Sequence, residues 1–446
     1  MHNHNHAPST LHLHSLPPTT LLSIDLTSFH TTPQFTGLHS IPPGLHHLFL
    51  SPPSSEIRHS QWILVPPGST SHMEFDANSC RLVPCAERAV DKGGATAYRQ
   101  RSRVTGGVLG GEEKEGKEPE GAVSTADAEW RALIPHITPK TLDRVFGVAG
   151  WCCSSLSGSR AVEDLEAELS KTSDSIPPLK SEEEKMEEDE EEELLFTPID
   201  LKRTWSPDAV GRERTDAARD RSYRLRTVVA ACGGAHELLG ELEISFVISV
   251  LVGSYVAAIQ WRRIVEVVLT SKRIATRSTG ESIPPSEGWE QDFLVEFFGV
   301  LREHLETLRA GYVGDGSFLS FSDMAEVLEQ QLRRFNRSLR ELEEEGVPVL
   351  EKVKREWAVM KKWAEKEMDW VLESRDVLRR GMVMTEEGDM VEVEDEGVDE
   401  EEERGEWAPV IVEMDDGDNM EVDEETACFN SGGSRHVPNK LSLAVA

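Results

Sequence analysis

The sequence predicts an α+β protein whose strands and helices are segregated along the chain. Three observations predict this. Residues 11–85 carry short apolar runs broken by Pro-Pro or Gly, residues 207–374 carry apolar residues at three- and four-residue steps, and acidic stretches separate and follow the two. The chain has 446 residues, with 47 Lys and Arg against 81 Asp and Glu, a net charge of -34. Residues 182–193, 386–406 and 413–425 hold -9, -12 and -8 of that charge, which leaves -5 for everything else. The acidity therefore belongs to linkers and a tail, which read as disordered, around ordinary folded material. General attraction to phosphate needs clustered Lys and Arg, so non-specific nucleic-acid binding is excluded.

The β part is built from runs of four to six residues. These are Leu21 to Ile24, Phe35 to Leu38, Leu45 to Leu50, Gln61 to Val65 and His72 to Phe75. Close spacing and turn residues at each end suggest a sandwich or barrel. The Pro pairs at 17–18, 42–43, 52–53 and 66–67 cannot sit inside central strands and mark turns or edges. Gly-rich, mixed-charge residues 86–126 read as a loop insertion. Trp130, Leu133, Ile134, Ile137, Leu142 and Val145 then recur at helical spacing, with a break at Pro139. The expected organisation is a β-rich domain at 11–150 and a disordered acidic linker at 151–193. A helical domain at 194–375 and an acidic tail at 376–446 follow.

In the helical part, Thr215 to Val229, Glu237 to Leu269, Phe293 to Leu308, Met324 to Leu342 and Val347 to Leu372 each carry a helical apolar pattern. Leu194 to Ile199 reads as one further strand. Ile244 to Trp261 has no charged residue, long enough to raise a membrane span. Ser245, Ser249, Gly253, Ser254 and Gln260, with amphipathic neighbours on both sides, favour a helix buried on all sides.

Catalytic constellations are missing. Six cysteines form no Cys-x-x-Cys pair, and a reducing compartment is expected. The opening residues lack Lys or Arg before their first apolar residues, so a secretory signal is not expected. His2, His4 and His6 form a run that binds metal adventitiously at most. The Gly runs at 106–111 and 311–316 lack the context of a phosphate loop, and no nucleophile elbow or zinc-peptidase pair occurs. No catalytic residue, metal site or cofactor is assigned. Ser181, followed by three Glu, is a candidate phosphosite. The basic stretch 202–226 is a solvated helix face or an internal partner for the acidic tails. An apolar island, Trp407 to Met414, stands between acidic tracts. A lone strand of this kind adds to the open edge of another sheet, a partner's or its own.

Four stretches together resemble one family. They are FTGLHSIPPGLHHLFL at 35–50, LFTPIDLKRTWSPDAVGRERTDAARDRSYRLR at 195–226, LGELEISFVISVLVGSYVAAIQWRR at 239–263 and APVIVE at 408–413. In this order they resemble the AAR2 splicing-factor family, most closely its filamentous-fungal members. The resemblance implies a β-sandwich-like N-terminal domain, a helical domain similar to VHS domains and a protein–protein role without catalysis. It implies an assembly chaperone of the U5 small nuclear ribonucleoprotein that clamps the RNase H-like and Jab/MPN-like domains of Prp8. Premature binding of the Brr2 helicase and of RNA is thereby prevented.

Carried onto this sequence, Ala408, Pro409, Val410, Ile411, Val412 and Glu413 are the partner-binding strand. Pro42, Pro43, Gly44 and His46 form the N-terminal motif, and Gly240, Glu241, Phe246 and Trp261 the helical one. A monomer in cytoplasm and nucleus, without membrane or cofactor, is expected. The competing class is a VHS-like trafficking adaptor that binds acidic sorting peptides. Ser23 stands where the family usually has Gly, and the acidic insertion and the extension after Gly417 lie outside the pattern.

Overall fold

Each Pro pair ends or precedes a strand, and the strands between them build two sheets. The computed structural model describes residues 8–88, 94–98, 122–147, 150–163, 193–276, 289–310, 321–373, 378–384 and 390–396. The strands are β1 (Ser9–His14), β2 (Leu21–Ile24), β3 (Thr27–His30), β4 (Gly37–Ile41), β5 (Gly44–Ser51), β6 (His59–Val65), β7 (Thr70–Asp76), β8 (Arg81–Pro84), β9 (Ala95–Ala97) and β10 (Cys152–Ser154). Sheet A has the order β8-β7-β1-β4-β9 and sheet B the order β10-β6-β5-β2-β3.

Leu11, Leu13, Leu38, Ile41, Met73 and Phe75 of sheet A meet Leu22, Ile24, Leu48 and Leu50 of sheet B in one apolar core, which makes a sandwich. The other face of sheet B gives Phe49 and Trp62 to a second core shared with the helices. Strand β5 is therefore covered on both faces, which explains why every residue from His46 to Leu50 is buried, without alternation. Sheet A, sheet B and helices are thus successive layers within a compact unit, Met1–Ser374.

The helices are α1 (Ala122–Leu133), α2 (Pro139–Phe146), α3 (Arg212–Arg219), α4 (Ser222–Cys232), α5 (Ala235–Val247), α6 (Tyr255–Leu269), α7 (Trp289–Arg309), α8 (Phe321–Glu344) and α9 (Glu351–Met368). The break expected at Pro139 is the start of helix α2: Thr138 Oγ1 accepts the Thr141 N–H at 3.2 Å, and Pro139 fills the first turn.

Several expectations are corrected. The apolar segment 237–269 is two helices. After α5 the chain passes through a π-turn, Ile248–Val252, then Gly253 at φ +79°, and Ser254 caps α6. All of Ile248 to Ser254 is buried, so this run is apolar because it forms the centre of the bundle. Among the described residues no helix is long and apolar enough to cross a membrane. Segment 215–229 is likewise split, between α3 and α4.

Residues 152–154, expected at the start of the linker, form a strand. Cys152, Cys153 and Ser154 pair with Gln61, Ser60 and His59 at the edge of sheet B. Strand β9 lies inside the expected loop 86–126. Residues 194–199 bury Leu194, Phe196, Thr197 and Ile199 but are in no sheet: the Leu194 N–H donates to the Gly158 carbonyl and the Leu195 N–H to that of Val145. In the second unit, Arg375–Ala446, β11 (Leu378–Met384) and β12 (Met390–Glu396) form an antiparallel pair. Its register sets Arg379 opposite Asp395 and Arg380 opposite Glu394.

Candidate functional site

The N-terminal motif folds around a buried charge. The turn between β2 and β3 places Asp25 at φ +53° with its carboxylate inside the protein. Asp25 Oδ2 accepts from His46 Nδ1 at 2.7 Å and from the Tyr98 hydroxyl at 2.7 Å, and Oδ1 accepts the His47 N–H at 3.0 Å. His46 Nε2 faces the Pro42 carbonyl at 2.8 Å. Both ring nitrogens of His46 therefore face acceptors, so both donate and the ring is an imidazolium. Burial alone would lower its pKa, but Asp25 and the Pro42 carbonyl raise it. The motif is a locked corner: Pro42 and His46 bond each other across Gly44, whose φ of +145° suits glycine. Ser23, in the position noted as a departure, donates to the carbonyls of Asp25 and Thr27 and closes the same turn.

The helical motif surrounds a second carboxylate. Glu241 is fully buried on α5. Its Oε1 accepts the Thr197 N–H at 2.8 Å and Gln260 Nε2 at 2.7 Å. Its Oε2 accepts the Thr197 hydroxyl at 2.8 Å and Arg144 Nη1 at 2.5 Å. These donors come from α2, from the extended segment after residue 193 and from α6. Glu241 thus ties the β-rich part to the helices. Burial and Glu241 also push the neighbouring Cys232 thiol up to about 12, which keeps it protonated.

Gly240 permits this contact. A Cβ there would stand 2.8 Å from the His136 carbonyl and 2.9 Å from Thr141 Cγ2. Phe246 stacks on His304, with ring centroids 3.9 Å apart, and Trp261 Nε1 donates to His304 Nδ1 at 3.0 Å. His304 is fully buried, and burial lowers its pKa well below the usual value, so it is neutral.

Two residues beyond Glu241, Glu243 makes a different bond. It accepts the His136 N–H at 2.9 Å and His136 Nδ1 at 2.5 Å. Burial pushes Glu243 up to about 7 against the pull of His136, while burial and then Glu243 act in opposite senses on His136 and leave it raised. Glu296 approaches the far side of the His136 ring at 3.4 Å. Outside the seam, Pro43, Leu64, Pro66, Pro67 and Arg131 line an open cleft of about 420 Å³.

Pro42, Pro43, Gly44 and His46 thus lie in the N-terminal corner, Gly240 and Glu241 in the joint between layers, and Phe246 and Trp261 among the helices around His304. The expected partner strand, Ala408, Pro409, Val410, Ile411, Val412 and Glu413, lies outside the described residues, as does Ser181. Sequence reasoning missed Asp25, Tyr98, His136, Arg144, Thr197, Gln260 and His304. Gln260, a polar residue inside an uncharged apolar run, carried the one usable signal.

A sandwich clasped to a helical layer through buried carboxylates defines the class: a two-module scaffold whose polar interior groups satisfy one another. The family model described as AAR2 N-terminal domain matches residues 7–147, and that described as AAR2 C-terminal repeat region matches residues 196–373. The chain belongs to the AAR2 splicing-factor family, and its function is related to splicing and U5 particle assembly.

Proposed function

We propose that this protein is a non-enzymatic assembly chaperone of the U5 small nuclear ribonucleoprotein. It binds the RNase H-like and Jab/MPN-like domains of Prp8 and holds back Brr2 and RNA until assembly is complete. The observation that supports this reading is the pair of family matches, one on each module and in order along the chain. The inward orientation of Asp25, His46, Glu241, Phe246 and Trp261 agrees with it, because groups engaged in the scaffold leave partner contact to other surfaces.

The segment 408–413 is the proposed contact. An extended strand obtains affinity from main-chain hydrogen bonds and selectivity from alternate side chains. Its acidic flanks, 386–406 and 413–425, carry net charges of -12 and -8 and repel RNA from the surface they occupy. Action in both cytoplasm and nucleus belongs to the same proposal.

Size-exclusion chromatography with light scattering tests it, using the purified chain and the two Prp8 domains. The expected result is a complex with one copy of each component, and exclusion of Brr2 from it. Separate elution of all three at micromolar concentration would sink the proposal.

A further inference from the structure

Three imidazoles gather on the outer face of sheet A, away from the seam. Alternation along β1 turns Leu11 and Leu13 into the sandwich and leaves His12 and His14 on the other face. On β7 the same alternation buries Met73 and Phe75 and turns His72 and Glu74 outward. The parallel register of β1 with β7 sets His12 beside His72 and His14 beside Glu74.

His14 Nε2 lies 3.1 Å from His72 Nδ1. Their rings are nearly parallel, 7° apart, with centroids 5.3 Å apart, and the His12 ring centroid is 4.8 Å from that of His72. His12 Nδ1 is buried without a hydrogen-bond partner. Two imidazole nitrogens that share a hydrogen bond have one proton and one lone pair between them. A tetrahedral zinc ion at about 2.0–2.1 Å from each of two nitrogens holds them about 3.3 Å apart. The observed spacing is within a few tenths of an ångström of that.

We propose that His14 and His72, with His12 swung in as a third ligand, bind one transition-metal ion of the zinc class. Imidazole ligands suit zinc, copper and nickel rather than calcium or magnesium. Among the described residues no three His, Cys, Asp or Glu side chains already form a metal site, so this one is a two-point chelate that the ion completes. Glu74 is engaged by Arg88 at 2.8 and 3.0 Å and by Ser15 at 3.0 Å. It supplies neighbouring negative charge rather than a ligand atom. On binding, the proton shared by His14 and His72 passes to solvent and the freed lone pair goes to the metal. The ion thereby clamps the first strand to a strand 58 residues further along.

Calorimetric titration of zinc chloride tests this on the full chain with His2→Asn, His4→Asn and His6→Asn, which removes the competing N-terminal imidazoles. The expected result is one ion per chain, proton release seen as a buffer-dependent heat, and affinity weakened about tenfold or more by His72→Asn. Thermal melting without zinc establishes that His72→Asn folds; if it does not, His14→Gln takes its place. Absence of binding heat, or affinity indifferent to both substitutions, would overturn the site.

Discussion

Glu241 and Glu243 stand two residues apart on one helix, equally buried, and behave differently. Glu241 has four close N–H and O–H donors, one of them a guanidinium, whereas Glu243 has His136, through ring and backbone, and the Ile137 backbone. Both carboxyl groups are fully buried, so what distinguishes them is the set of donors each one meets. The Glu241 carboxylate is held from three elements at once, by Arg144, Thr197 and Gln260. Glu243, whose one ionisable partner within a short hydrogen bond is His136, shares a proton with it and responds to pH near neutrality. The same helix thus carries a multiply bonded tie at Glu241 and a titratable one at Glu243, reaching Arg144 and His136 of the N-terminal module.

The largest effect expected from breaking this pair is Glu241→Ala, which strands Arg144, Thr197 and Gln260. Removal of one partner of a buried ion pair costs about 3–5 kcal/mol. Urea unfolding should show that loss, and a change below about 1 kcal/mol would mean the network is dispensable. Gly240→Ala comes next. Its methyl group meets a backbone carbonyl that cannot easily move, so overpacking should cost about 1–3 kcal/mol. Stability equal to wild type would show that the α2–α5 contact is looser than described.

Titration sharpens the comparison further. His136 and Glu243 are both raised in the fold, so the folded pair holds its proton more tightly than the unfolded chain. Their stabilisation is present on the acid side and is lost as pH rises through about 7. His47 and His304 act in the opposite sense. Burial lowers both, His47 to about 3, so their contribution is complete above the unfolded value of 6.5 and falls as pH drops below it. Each proton changes the slope by at most about 1.4 kcal/mol per pH unit. Denaturation midpoints measured across this range should decline on both sides of a maximum. His136→Asn should flatten the alkaline side, and His47→Leu the acid side. An unchanged alkaline slope in His136→Asn would remove the titratable role from the pair. The smallest effect is expected from Ser181→Glu, a change within about 0.5 kcal/mol in the same assay, because it adds charge to an already acidic stretch.

Local chemistry made much of the fold legible. Pro pairs marked the strand ends, Pro139 marked a break that proves to separate α1 from α2, and three- and four-residue periodicity found α7, α8 and α9. What escaped depended on pairing between distant residues. Cys152 to Ser154 shows no alternation, and its place as a strand comes from Gln61, some ninety positions earlier in the chain. Tyr98 sits beyond a Gly-rich stretch with nothing local to link it to Asp25. Gly253-Ser254 did carry a stop and a start signal, but the uncharged run around it masked them. The motifs of the candidate site were legible as motifs. Their inward role was not, because a sequence does not say whether a glutamate faces water or Arg144.

The central claim is a division of labour: the motifs hold the scaffold and the tail strand holds the partner. Its most direct test is calorimetric binding of the two Prp8 domains to Val410→Asp/Val412→Asp, with thermal melting of the same sample. The account predicts binding lost and melting unchanged. Wild-type affinity in that variant would contradict it and move the contact onto the folded modules.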